Sequence, residues 1–164
     1  MTAIPDPNLD LTTSRIIKAP RQLVWNAWAD PESLAQWWIP APARCRVAEM
    51  ELRPGGSFVT LMSEHGGEFL PHVNACFLDI LDGERIVFTN ALTGGWRPAA
   101  QGFMTAVISF TDHPQGTEYA AYVMHKNVAD RRKHEELGFH DGWPTVAAQM
   151  AAFVEARAAN GITR

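Results

Sequence analysis

Between Cys45 and His125 the chain is a succession of short apolar segments separated by turn residues, and this pattern constrains the fold more than any other feature. Strands are expected at Cys45–Leu52, Ser57–Ser63, Pro71–Leu81, Arg85–Asn90, Phe103–Thr111 and Thr117–His125. The links carry Pro54-Gly55-Gly56, His65-Gly66-Gly67, Asp82-Gly83, Gly94-Gly95 and Pro114-Gln115-Gly116, residues that favour tight turns. Links this short join antiparallel neighbours, because a parallel pair needs a crossover of about a dozen residues or more. The middle of the chain is therefore an antiparallel meander.

What flanks the meander completes an α+β pattern. Over Leu9–Lys18, Leu9, Leu11, Thr13 and Ile17 share one parity, as a half-buried strand requires, and the break at Arg15 and Ile16 suits a sheet edge. Ala19-Pro20 opens a short helix with Val24, Ala27 and Trp28 on one stripe. Asp30-Pro31-Glu32 caps a second short helix carrying Leu34, Trp37 and Trp38, which Pro40 and Pro42 end. At the far end, Asp141 is expected to cap a long helix with Pro144 in its first turn. Trp143, Val146, Ala147, Met150, Phe153 and Val154 form its apolar face. One long amphipathic helix then packs on one curved sheet.

The 164 residues suit one domain, with no linker or repeat dividing them. We expect a loose arm over 1–8, the domain over 9–157 and a tail over 158–164. A 46% hydrophobic and 20% charged composition is that of an ordinary globular protein. The net charge of −4 argues against a nucleic-acid partner, which needs clustered cations. The basic run Asp130-Arg131-Arg132-Lys133-His134 is followed at once by Glu135-Glu136 and reads as a solvated helical face. Cys45 and Cys76 lie in no ligand or redox spacing and suit two buried or half-buried thiols in a reducing compartment. Residues 1–8 lack the features of a signal peptide, and no apolar run reaches the ~18–20 residues of a membrane span. A cytoplasmic location is expected.

Five segments, in order, resemble a known family. They are Ile17-Lys18-Ala19-Pro20 with Val24-Trp25; Asp30-Pro31 with Leu34 and Trp37-Trp38; Glu51 to Phe58; Glu84-Arg85-Ile86-Val87-Phe88-Thr89; and Gly142-Trp143. The chain resembles the START-like or SRPBCC superfamily, in its bacterial branch similar to the C-terminal domain of the activator of Hsp90 ATPase. The resemblance implies a helix-grip fold: a bent antiparallel sheet wrapped around a long C-terminal helix, with two short helices after the first strand. It also implies an elongated cavity between sheet and helix for an apolar or amphipathic small molecule. Fold alone selects no chemistry.

The residues agree on where such a cavity would lie. Phe58, Thr60 and Met62 share a parity on one strand, and Ile86, Phe88 and Asn90 on another, facing Trp143, Val146 and Met150. Together with Trp38, Tyr122 and His125, the residues Phe58, Thr60, Met62, Phe88, Asn90, Trp143, Val146 and Met150 are the candidate lining. Any single ring is more readily explained by core packing, and the methionines suit a core or a ligand site alike. His65, Glu68 and His72 have no fixed metal geometry, no HExxH, nucleophile elbow or phosphate loop is present, and neither a metal nor a cofactor is expected. The reading that follows is a binding module for a small hydrophobic or aromatic ligand. One alternative is a cyclase- or hydratase-like enzyme moving protons with His125, Tyr122 and Asn90. Another is an Hsp90 interaction module, disfavoured because this chain has no room for the activator's other domain. A homodimer through a sheet edge or the Trp-bearing helices is also conceivable.

Overall fold

The structure, a computed structural model, describes residues 4–161; the ends of the expected arm and tail, 1–3 and 162–164, lie outside the described residues. The elements run β1 (Asp10–Ile17), α1 (Arg21–Ala29), α2 (Pro31–Leu34), β2 (Arg44–Met50), β3 (Ser57–Ser63), β4 (Leu70–Leu81), β5 (Arg85–Thr89), β6 (Leu92–Thr93), β7 (Arg97–Pro98), β8 (Thr105–His113), β9 (Gly116–Met124), α3 (Val128–Glu136) and α4 (Phe139–Ala159). Seven strands form one sheet in the order β1-β9-β8-β5-β4-β3-β2, and every pair is antiparallel. β1 lies at an edge, where its broken alternation is tolerated. The curved sheet and the long α4 make the helix-grip architecture expected from the sequence.

Local chemistry explains most boundaries. Asp30 caps α2, its Oδ2 accepting from the Ser33 amide at 3.1 Å and the Ser33 hydroxyl at 2.7 Å. The helix is shorter than expected, and Trp37 and Trp38 lie in the turn after it, their amides donating to the Leu34 carbonyl. β8 begins later than Phe103 because the Phe103 and Met104 amides both donate to Asn90 Oδ1, each at 2.9 Å, instead of joining the ladder. The long link between β5 and β8 folds into a separate hairpin, β6 with β7, which the sequence reading did not anticipate.

Two expectations need correction. Asp141 does not cap α4: the helix starts at Phe139, after Gly138 with φ 99°, and Pro144 lies inside it. Phe139 is 2% exposed, so its burial in the core carries the helix start upstream of the polar cap signal. Pro144 then leaves one turn without its amide donor. The basic run is not wholly solvated either. In α3, Arg131 pairs with Glu135 at 2.6 Å and Asp130 with Lys126, but His134 points inward and is 9% exposed.

The core is unusually aromatic. Trp28, fully buried, meets Trp37, Trp38, Phe58, Phe77 and Phe88 with ring centroids 5.3–6.4 Å apart. Its indole N–H donates to Tyr119 Oη at 3.2 Å. Gln149 on α4 fastens this cluster to the helix: its Nε2 donates to the Trp37 and Ile39 carbonyls, and its Oε1 accepts from the Ala41 amide. This tie holds one end of the grip and positions Trp38 and Pro40 beside the space described next.

Candidate functional site: a cavity gripped between sheet and helix

Between the inner face of the sheet and α4 lies a cavity of about 660 Å³. Its base and sides are largely apolar, from Trp38, Phe88, Phe103, Met104, Ala121, Phe139, Trp143, Val146 and Ala147. Polar groups are few: Thr13, His72, Asn74, Asn90, Thr93, Gln101, Tyr119 and His134. The space exists because small residues stand where large ones would close it, Ala121 on β9 and Ala147 on α4. Asn90, by holding the Phe103 and Met104 amides, secures the segment that forms one lip.

The candidate lining residues divide. Trp38, Phe88, Asn90, Trp143 and Val146 border the cavity together. Phe58 and Met150 are fully buried beneath it, Phe58 stacked on Phe77 at 5.1 Å. Thr60 is buried too, with Oγ1 3.0 Å from Nδ1 of His72, which does border the space. Met62 is half-buried against the core. Tyr122 alternates away from Tyr119, Ala121 and Val123, and its phenol donates to Asp10 Oδ2 at 2.7 Å on the other face of the sheet. His125 is buried one residue beyond β9, where another histidine separates it from the cavity.

That histidine is His134, for which the charged run around it predicts a solvated face. Nδ1 of His125 lies 2.8 Å from the Leu9 carbonyl, which can only accept, so this nitrogen carries the proton. The Trp143 indole, which can only donate, points its N–H at Nε2 of His134 from 3.3 Å. The remaining 2.9 Å contact is thereby fixed: Nδ1–H of His134 donates to Nε2 of His125. A one-way chain thus runs from Trp143 through both rings to the backbone of Leu9, just before β1. Phe103 and Phe139 pack on His134 with centroids 5.1 Å away. Only the packing of α3 against α4 and His125 brings these partners together, and no spacing signal in the sequence marks them.

With the hydrogen bonds in this direction, an added proton on His134 would face the Trp143 N–H. Burial first, and then the repulsion two protonated rings this close would feel, push His134 down to about 4. An unfolded chain takes that proton near the ordinary value of about 6.5. Stability is therefore fully present above that value and falls as the pH drops toward 4, by on the order of 2–3 kcal/mol from this group. Urea melts between pH 7 and pH 4.5 should show the loss, and the acid slope should flatten in His134→Gln; an unchanged slope would refute the assignment. Elsewhere, burial pushes the Cys45 thiol up to about 11, which keeps it protonated and poorly nucleophilic. Among the described residues no three His, Cys, Asp or Glu side chains gather to hold a metal ion.

The cavity and its grip can be set beside known proteins. The model of the family "Activator of Hsp90 ATPase homolog 1-like protein" matches residues 18–155. The chain belongs to this family. It lies, with the family, in the START-like or SRPBCC superfamily. A crystal structure of a protein from Nitrosomonas europaea is 40% identical, covers 94% of this chain and 99% of its own, and superposes with a TM-score of 0.85. A second, from Chromobacterium violaceum, is 26% identical over 90% of this chain and 98% of its own, with a TM-score of 0.69. The solution structure of an AHSA1-like protein from Aeromonas hydrophila, at 17% identity over 92% of this chain and 94% of its own, shares the fold with a TM-score of 0.68. No curated protein matches. Among the described residues no helix is long and apolar enough to cross a membrane.

Proposed function

We propose that this protein is a cytoplasmic small-molecule-binding module that holds a hydrophobic or aromatic ligand between the sheet and α4. The observation that carries this reading is the cavity itself. Its volume of about 660 Å³ suits a small organic ligand, and its apolar rings with a few polar groups are the usual make-up of such sites. The two free thiols, Cys45 and Cys76, suit a reducing compartment.

The catalytic alternative has less support. Tyr122 is turned to the other face, His125 stands behind His134, and Asn90 Oδ1 is engaged with two amides. An Hsp90-directed role rests on the family's name alone, and we expect an Hsp90 pull-down to return nothing.

Native mass spectrometry and thermal shift against lipids and aromatic metabolites test the binding reading. A bound compound should raise the melting temperature, by the equivalent of about 2.7 kcal/mol at a hundredfold excess over Kd. Val146→Trp, which places an indole in the wall, should abolish the effect while the protein stays folded. If no compound in either class shifts the unaltered protein, the reading is wrong.

A further inference from the structure

The cavity wall carries no Asp, Glu, Lys or Arg among the described residues. An ionised group held inside would meet no counter-charge, and an unpaired buried ion is strongly disfavoured. The surroundings change at the mouth. A second, more open cleft of about 650 Å³ adjoins the cavity and shares Asn90, Ala100, Gln101, Phe103 and Leu137 with it. The rest of its lining is Gly102, Lys126, Asp130 and Lys133. An apolar wall thus gives way to a charged one across the ring of Phe103.

The two lysines are not equivalent. Lys126 Nζ donates to the Gly102 carbonyl at 3.1 Å and pairs with Asp130, the one carboxylate of the cleft. Lys133 is exposed and pairs with no carboxylate among the described residues. Its Nζ lies over the Phe103 ring, 5.8 Å from the centroid, so the ammonium is stationed where the two spaces meet. Two lysines against one aspartate leave the cleft positive on a chain whose net charge is −4. Leu137 borders both spaces and is 70% exposed, so apolar surface continues out of the cavity toward these cations.

We propose that the ligand is an amphipathic anion, whose apolar body fills the cavity and whose single acidic group, carboxylate or phosphate, lies in the cleft against Lys133, with Lys126 as the second cation. This rests on the cavity being a binding site. The arrangement also sets the direction of the ligand, since the cavity wall offers no cation among the described residues and the cleft offers two. The acidic group stays hydrated while the apolar body leaves water, so neither part bears the cost of burying a charge.

Displacement of the neutral fluorescent probe phenylnaphthylamine by decanol, decanoate and decyl phosphate, three chains of equal length below their micellar concentrations, tests the assignment. At low salt both anions should displace the probe about fivefold more effectively than decanol, and in 0.5 M salt the gap should shrink to about twofold or less. Lys133→Gln, at an exposed position, should bring the anions to within about twofold of decanol without changing decanol itself. Asp130→Asn, which releases Lys126, should tighten both anions by about two- to threefold and leave decanol where it was. A preference for one anion over the other that Lys133→Gln abolishes supports the subsite and assigns its acidic group to a carboxylate or a phosphate. Decanol matching both anions on the unaltered protein overturns the proposal, as does a preference that survives Lys133→Gln at full size. If the folded protein binds neither the probe nor any of the three chains, the binding reading falls and this inference with it.

Discussion

Trp28→Ala should cost about 3–5 kcal/mol of stability, the range for removing a large aromatic side chain from a packed core. The ring is fully buried, touches five other aromatic rings and closes the hydrogen bond to Tyr119, so truncation leaves a void that α1, β3, β4 and β5 cannot fill without moving. The contrast with Trp143→Ala makes the measurement informative. Trp143 is half-buried and already faces open space, so the same truncation creates less new void and should cost only about 1–2 kcal/mol. Urea denaturation of both variants decides the matter. Equal losses would mean that the space beside Trp143 is closed by packing in solution.

Gly116→Ala should be nearly as damaging, at about 2–4 kcal/mol, although it adds a single methyl group. Gly116 opens β9 with φ 140°, a conformation that L side chains rarely adopt. A Cβ there would sit 2.2 Å from the Ile17 carbonyl oxygen and 2.8 Å from the Ala19 amide nitrogen. Both are backbone atoms where β1 turns into α1, and Thr117 Oγ1 already donates to the Ala19 carbonyl at 2.8 Å. Relief would have to separate β1 from β9 or displace the start of α1. Gly66→Ala is the matched control. Its φ of 74° is also positive but nothing lies within 4 Å of the added carbon, so the cost should be about 1 kcal/mol. Thermal melts in which the two variants shift alike would show that backbone conformation, and not the contact with β1, dominates at Gly116.

The two predictions follow from features of different legibility. Gly116 stood out in the sequence as a turn residue, but its closeness to Ile17 could not be read, because that contact joins positions almost a hundred residues apart. The rings show the same division. Phe58 and Phe88 have the same inward parity on neighbouring parts of the sheet, yet Phe58 is packed under Trp28 and Trp38 while Phe88 borders the cavity. Parity reports which face a side chain takes. It does not report whether the opposite surface leaves room. Tyr122 marks the limit from the other side, since its place near the end of β9 suggested the cavity and its parity sends it to Asp10.

What the sequence determined by itself was the architecture: alternating segments with short turn-rich links, two short helices after the first strand and an amphipathic helix at the end. Each of these is encoded within a few residues, by side-chain period, by proline and glycine, and by capping at Asp30. The tertiary structure alone decided the contents of the site. His134 belongs to a charged helical run by every local rule, and it became a neutral cavity residue because α3 folds back on His125, Trp143 and Phe139. Trp38 likewise holds a buried indole N–H that has no acceptor among the described residues, which no local pattern foretells. Burial, protonation and hydrogen-bond satisfaction depend on partners distant in the chain, and local pattern does not specify those partners.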